Sequence, residues 1–206
     1  LKTFGINIET SHHEVGHGQY EIDLNYGDCL AVADELLTLK YTVKKVAQMY
    51  NLEATFMPKP AMGIAGSGMH IHQSLFGVKA KRNAFYDKKD KYGLSKAAYS
   101  FIAGQMKHIK AMSVILCPTV NSYKRLVSGF EAPVYITWAS MNRSALIRVP
   151  KWFRQNQESA RIELRCPDPT CNPYLAFAVM LKAGLDGINN KLMPPQPVEE
   201  NVYQLD

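Results

Sequence analysis

The chain has 206 residues, 47% hydrophobic and 20% charged, a composition that supports one sizeable globular domain and excludes collagenous, disordered and mucin-like classes. Its formal charge of +6 raises the question of a nucleic-acid surface. The charge is unevenly placed, however: six of the seven arginines lie between Arg125 and Arg165, and five of the six histidines lie between His12 and His72, near Glu9, Glu14, Glu21 and Asp23.

In chain order, residues 4–10 alternate as a strand with Phe4, Ile6 and Ile8 on one face. Residues 19–25 set Tyr20, Ile22 and Leu24 against Glu21 and Asp23, and the two segments predict an antiparallel pair. Asp28 is placed to cap a helix reaching about Tyr50, with Val32, Leu36, Leu39, Val43 and Val46 at helical spacing. A short strand is predicted over 54–56, then a Pro/Gly-rich loop over 58–68 and an alternating strand over 69–76. Residues 79–92 are charged and loop-like. Ser95 caps a helix carrying Ala98, Ile102, Met106 and Ile109. Residues 135–140 and 145–149 predict a hairpin, and 161–165 a further strand. Asn172 and Pro173 open a helix that ends near Gly187, and the tail from Met193 is proline-rich and acidic. Strands and helices mix without βαβ order, so the class is α+β.

No apolar run approaches the roughly 18 residues of a membrane span. The chain starts at Leu1 with no basic-then-apolar leader, the pattern expected of a fragment or processed chain. Cys29, Cys117, Cys166 and Cys171 form no Cys-x-x-Cys pair, which argues against a disulfide framework and for a reducing cytoplasm.

Three strands carry polar faces that suit a cleft better than a core. His70, His72 and Ser74 share one face of their strand, Arg161, Glu163 and Arg165 share another, and Glu21 and Asp23 a third. Carboxylates with histidine suit Mg²⁺ or Mn²⁺ better than zinc. Clustered guanidinium groups beside them suit a phosphorylated or carboxylated ligand. Residues 63–68 are glycine-rich but lack the ending of a P-loop, a weak phosphate signal on their own. The arginines lie in partly apolar strand segments rather than interleaved with exposed aromatics, which favours a small anion over nucleic acid.

The run Lys59-Pro-Ala-Met-Gly-Ile-Ala-Gly66-Ser-Gly-Met-His70-Ile-His72-Gln-Ser74 resembles the ATP-binding signature of glutamine synthetases. Four further blocks match in the family's order: residues 12–21, residues 121–126, Gly129-Phe-Glu131-Ala-Pro133 with Asn142-Arg143-Ser144, and residues 161–168. The resemblance runs over essentially the whole chain and is closest to bacterial or archaeal type I enzymes. It implies a catalytic domain whose largely antiparallel, curved sheet forms the active-site face, backed by helices. It also implies ATP-dependent ligation of ammonia to glutamate through γ-glutamyl phosphate, in a cytoplasmic homo-oligomer with shared active sites, with no nucleic-acid or membrane partner.

By resemblance, Glu14 and Glu21 match ligands of one metal, and His70 and Glu163 ligands of another, Mg²⁺ or Mn²⁺. Arg125 matches the residue gripping the glutamate α-carboxylate, Arg165 the one facing its γ-carboxylate, and Gly66 the loop meeting its amino group. Arg143, Arg148 and Arg161 match phosphate-handling positions, His72 a phosphate-side histidine, and Glu9 and Ser74 nucleotide-side positions. Glu131 matches the mobile glutamate that closes the site and takes a proton from ammonium. Tyr203 occupies the region where some members are adenylylated. His17 and Arg154 match no role. His12 and His13 read equally as packed strand-end histidines and are not assigned to the site.

The sequence departs from the family at Ala65, where an asparagine is usual, and at Ser128, where a proline is usual; residues 151–160 do not align. The family's N-terminal β domain, its upstream Glu-x-Glu pair and its C-terminal helices have no counterpart in these 206 residues. The expectation is therefore a domain over 1–206 that is incomplete at both ends and inactive alone. A γ-glutamyl ligase acting on an organic amine and a catalytically dead relative are the competing readings.

Overall fold

The computed structural model describes residues 1–150 and 157–200; Arg154 and Tyr203 lie outside them. Strands β1 (Ile8–His13) and β2 (Tyr20–Leu24) form an antiparallel ribbon in which His12 stands opposite Glu21. The first strand begins later than its alternation predicts. Lys2–Phe4 is a 3-10 turn closed by Gly5 at φ 73, which leaves Phe4 exposed and Ile6 buried. Helix α1 (Cys29–Met49) follows, and the Asp28 carboxylate accepts the Leu30 N–H at its first turn. Residues 54–56 form no strand. The Phe56 ring instead lies 5.7 and 5.9 Å from the Lys40 and Lys44 ammonium groups of α1.

The second sheet has four strands in the order β3 (Ile71–Gln73), β8 (Ile162–Leu164), β7 (Ala145–Arg148), β6 (Tyr135–Ala139). Its first two junctions are antiparallel, but β6 and β7 run parallel. The predicted hairpin is therefore wrong. Residues 140–144 carry the chain back to the start of the neighbouring strand, and the tail holds them there. Glu199 accepts the Ser140 and Met141 N–H groups, both at 3.0 Å, and the Asn142 amide donates to the Val198 carbonyl. Val198 itself donates to the Trp138 carbonyl, and Trp138 Nε1 donates to the Pro195 carbonyl at 2.7 Å. A second small ribbon, β4 (Phe76–Gly77) with β5 (Arg82–Asn83), lies where only loop is predicted.

Behind the four-stranded sheet lie α2 (Lys96–Leu116) and α4 (Pro173–Asn189), and the short α3 (Val120–Arg125) follows α2 in the chain. Ser95 and Asn172 cap the long helices as predicted, each accepting first-turn N–H groups. Helix α3 was not predicted, although Thr119 and Ser122 form a capping box at its start. Helices α2 and α4 meet backbone to backbone: a Cβ on Gly187 would lie 2.0 Å from the Ser100 carbonyl oxygen. The core joins these helices to Ile147, Ile162, Leu164 and Trp138 of the sheet. Each such side chain contributes about 1.5–3 kcal/mol on burial. Trp138 is flanked edge-on by Tyr92 and Tyr99 at 5.3 and 5.7 Å.

Candidate active site

Register across the sheet builds the site. Ile71 and Ile147 both pair with Leu164, whereas one residue along His72 and Arg148 both pair with Glu163. Alternation sends the first row to the helices and the second to the opposite face. Glu163 is 1% exposed. Its Oε2 accepts Arg148 Nε at 2.6 Å, while its Oε1 accepts Arg165 Nη1 at 2.6 Å and lies 3.4 Å from His70 Nδ1. A carboxylate taken out of water needs such partners.

Burial pushes the His70 imidazole well below its ordinary range, and Arg165, Arg125, His72 and Arg148 push the same way. His72 is lowered too, by burial first, although Glu163 opposes the shift. Arg161 Nε donates to His72 Nδ1 at 3.1 Å. A guanidinium has no acceptor to offer, so that nitrogen is unprotonated and Nε2 carries any proton of the neutral ring. Arg165 Nε is buried with no hydrogen-bond partner among the described residues, which leaves a charged donor suited to an anionic oxygen.

The glycine-rich loop lies against this row. A Cβ on Gly68 would fall 2.4 Å from Arg125 Nη2 and 3.0 Å from His70 Nε2, and one on Gly66 would fall 2.4 Å from the Pro58 carbonyl oxygen. At Gly66 the obstacle is backbone, so only glycine fits there, while a side chain at Gly68 would have to displace the Arg125 guanidinium. Arg125, 4% exposed, donates to the carbonyls of Arg165, Cys166 and Pro167 at 2.9, 2.8 and 3.3 Å, bracing the chain that leaves β8. Gln19, immediately before β2, donates to the Gly66 carbonyl at 2.9 Å, tying the first ribbon to the loop.

That ribbon carries the acidic cluster. One ligand atom each from His12, Glu14 and Glu21 lies within 4.8 Å of the others. Burial, then Asp23 and Glu14, raises the Glu21 carboxyl to about 7. Two crowded carboxylates that resist ionising together, beside an imidazole, fit a divalent cation with mainly oxygen ligands. Glu131 stands on the loop after α3 with φ 54, its carboxylate 3.7 Å from Arg143 Nη1 in solvent, and its charge reaches Arg165.

The structure thus joins Gly66, His70, His72, Arg125, Arg148, Arg161, Glu163 and Arg165 in one contact network. It pairs Glu14 with Glu21, and Glu131 with Arg143. Glu9 and Ser74 are exposed, and no hydrogen bond or ion pair ties either to that network among the described residues. The sequence alone does not single out His12, whose place opposite Glu21 needs the ribbon register, or Lys59, which stands at the head of the 59–74 run with no chemistry of its own marked by pattern.

These features define an α+β domain with a buried arginine row, a candidate anion site, beside candidate divalent-cation ligands. The chain matches the family described as glutamine synthetase, catalytic domain, over residues 1–206, and belongs to that family. It is 56% identical to the glutamine synthetase of Clostridium saccharobutylicum over 205 residues, 100% of this chain and 45% of that protein. With the Thermotoga maritima enzyme it shares 53% identity over 205 residues, again 100% of this chain and 46% of that protein. The chain therefore spans about half the length of the curated relatives it matches. A Plasmodium falciparum glutamine synthetase structure superposes with a TM-score of 0.90 at 40% identity, over 95% of this chain and 37% of that one. A GmaS–ADP complex gives 0.89 at 39%, over 98% and 46%.

Proposed function

We propose that the intact protein joins ammonia to the γ-carboxylate of L-glutamate at the expense of ATP, through γ-glutamyl phosphate, giving glutamine, ADP and phosphate. The observation that carries this reading is the buried row in which Glu163 spans Arg148 and Arg165 with His70 alongside, in a chain of this family.

His12, Glu14 and Glu21 would hold one Mg²⁺ or Mn²⁺, and His70 with Glu163 a second. Bound there, the cations neutralise phosphate charge and polarise the phosphoryl oxygens. Arg165 presents its unpartnered Nε to the γ-carboxylate, which positions it for attack on the terminal phosphorus of ATP. Arg143, Arg148 and Arg161 supply fixed positive charge to the transferring group, and His72 offers its remaining nitrogen on the same side. Gly66 and Arg125 form the wall for the amino-acid end of glutamate, and Glu9 and Ser74 face the nucleoside. Glu131 attracts ammonium and removes a proton, leaving ammonia to attack the acyl phosphate. Shared sites in a cytoplasmic homo-oligomer belong to the same reading, as does the inactivity of these 206 residues alone.

An organic amine as acceptor is the second reading, favoured by Ala65 and Ser128, which leave room for a reshaped acceptor pocket. ADP release measured with ammonium and with a panel of primary amines tests both. Saturable release with ammonium supports the first reading, release only with an amine replaces it, and no release with either overturns both.

A further inference from the structure

Lys59 is 3% exposed, a rare position for a lysine without a counter-charge. Its backbone is fixed on both sides by Asn121 of α3, whose Oδ1 accepts the Lys59 N–H at 2.7 Å and whose Nδ2 donates to the Lys59 carbonyl at 2.9 Å. Its ammonium donates to the Ile64 carbonyl of the glycine-rich loop and lies 3.7 Å from the centre of the Phe130 ring. Among the described residues no carboxylate lies within ion-pair distance of it. Burial pushes this ammonium below its ordinary range, as expected of a cation satisfied by one carbonyl and one ring face.

Phe130 immediately precedes Glu131. Among the described residues the Glu131 carboxylate is tied only by its exposed contact with Arg143, and exposed pairs constrain geometry weakly. The left-handed backbone at Glu131, with Gly129 at φ 91 beside it, needs an anchor nearby to persist. If the Phe130 ring left, Lys59 would lose one of the two contacts that compensate its ammonium.

We infer that Lys59 is the positioning residue that seats the Glu131 loop, its ammonium clamping Phe130 against the glycine-rich loop. The inference rests on the proposed role of Glu131 in capturing the acceptor. Lys59 touches no reacting atom. It acts through Phe130, so the seat of Glu131 and the shape of the loop bearing Gly66 are set by one side chain.

The test uses the intact protein with Lys59→Met, Phe130→Leu and their combination. Hydrogen exchange of residues 127–132 is read by mass spectrometry, and KM is measured for ammonium and for ATP. Lys59→Met is expected to raise exchange in 127–132 at least fivefold while exchange in α2 is unchanged. It should also raise KM for ammonium about tenfold, the worth of one desolvated cation–π contact, with KM for ATP within about twofold. The double variant should be no worse than either single one, and Phe130→Tyr, which keeps a ring face, should restore both readouts. Additive effects, or unchanged exchange in 127–132, overturn the inference. Should Lys59→Met fail to fold, the contrast between Phe130→Leu and Phe130→Tyr decides it. A protein that forms no product from ammonium would sink the proposed function, while the exchange readout would still decide the latch.

Discussion

Glu163 engages Arg148 and Arg165 with both carboxylate oxygens at 1% exposure, while Glu131 meets Arg143 in solvent at 3.7 Å. Removing one member of a buried set leaves charges unpaired and costs about 3–5 kcal/mol, whereas an exposed pair is worth about 0–1 kcal/mol. Glu163→Ala should therefore lower the unfolding free energy by about 3–5 kcal/mol in urea titrations, and Glu131→Ala by less than about 1 kcal/mol. Equal losses would contradict the role of burial, and only Glu131→Ala should remove activity from a fully stable fold. Titration separates the two metal candidates in a similar way. His70 is already neutral near pH 7, because burial first, and then Arg165, Arg125, His72 and Arg148, lower it. Glu21 is raised to about 7, so below that pH its proton must leave before a cation binds. Without metal, the raised Glu21 favours the fold at low pH and that contribution fades as pH rises from about 4.5 to 7. The lowered His70 has the opposite sign, losing stability as pH falls below about 6.5. Calorimetry in buffers of different ionisation heat should show close to one proton released per Mn²⁺ bound to the Glu14–Glu21 site at pH 6, and almost none at pH 8.5. Release that does not change with pH would contradict the raised carboxyl. Glu21 was legible from strand alternation, whereas Glu14 was reached only through the family resemblance. His12 was legible from neither, because its membership depends on which residue of β2 it faces.

At the scale of elements, capping chemistry was the most legible part of the chain. Asp28, Ser95 and Asn172 each accept first-turn N–H groups where a short polar side chain precedes an apolar periodicity. Strand direction was not legible, since β6 and β7 look like a hairpin until Glu199 and Asn142 are seen binding the 140–144 connection to a tail 58 residues further along the chain. The contact between α2 and α4 was equally hidden, because glycine in a helix carries no periodic signal. Replacing Gly187 with alanine should gain about 1 kcal/mol of helix propensity. The added Cβ, however, would lie 2.0 Å from the Ser100 carbonyl and 2.8 Å from Gly104 Cα, atoms that move only if the helices separate. Overpacking of that kind costs about 1–3 kcal/mol, and a backbone obstacle places it at the upper end. Gly187→Ala is therefore expected to be destabilising by calorimetry, with Mn²⁺ affinity unchanged because the polar row lies on the far face of the sheet. A stabilised Gly187→Ala would mean that propensity outweighs the contact.

For the whole molecule, the +6 charge was legible in sign and even in its arginine-rich half, but its meaning depends on where the guanidiniums point. Arg125 and Arg165 are each 4% exposed, one donating to three carbonyls and the other to Glu163, and the Arg148 side chain is 26% exposed. A polyanion gains affinity by releasing counterions to cations it can reach along a surface, with a salt slope close to the number of phosphates neutralised. Charges held within a sheet face and engaged by Glu163 cannot follow a phosphate backbone, although they can meet a single triphosphate or carboxylate entering the row. Fluorescence anisotropy of a labelled DNA duplex should therefore give binding that vanishes by about 0.2 M salt with a shallow slope of about two phosphates or fewer. Binding of Mn²⁺-ATP to the intact protein should persist across the same range, because partly buried pairs are screened less than exposed ones. A slope of about six or more with binding surviving at 0.15 M salt would return the arginine-rich half to a nucleic-acid surface and remove the electrostatic case for a small anionic substrate.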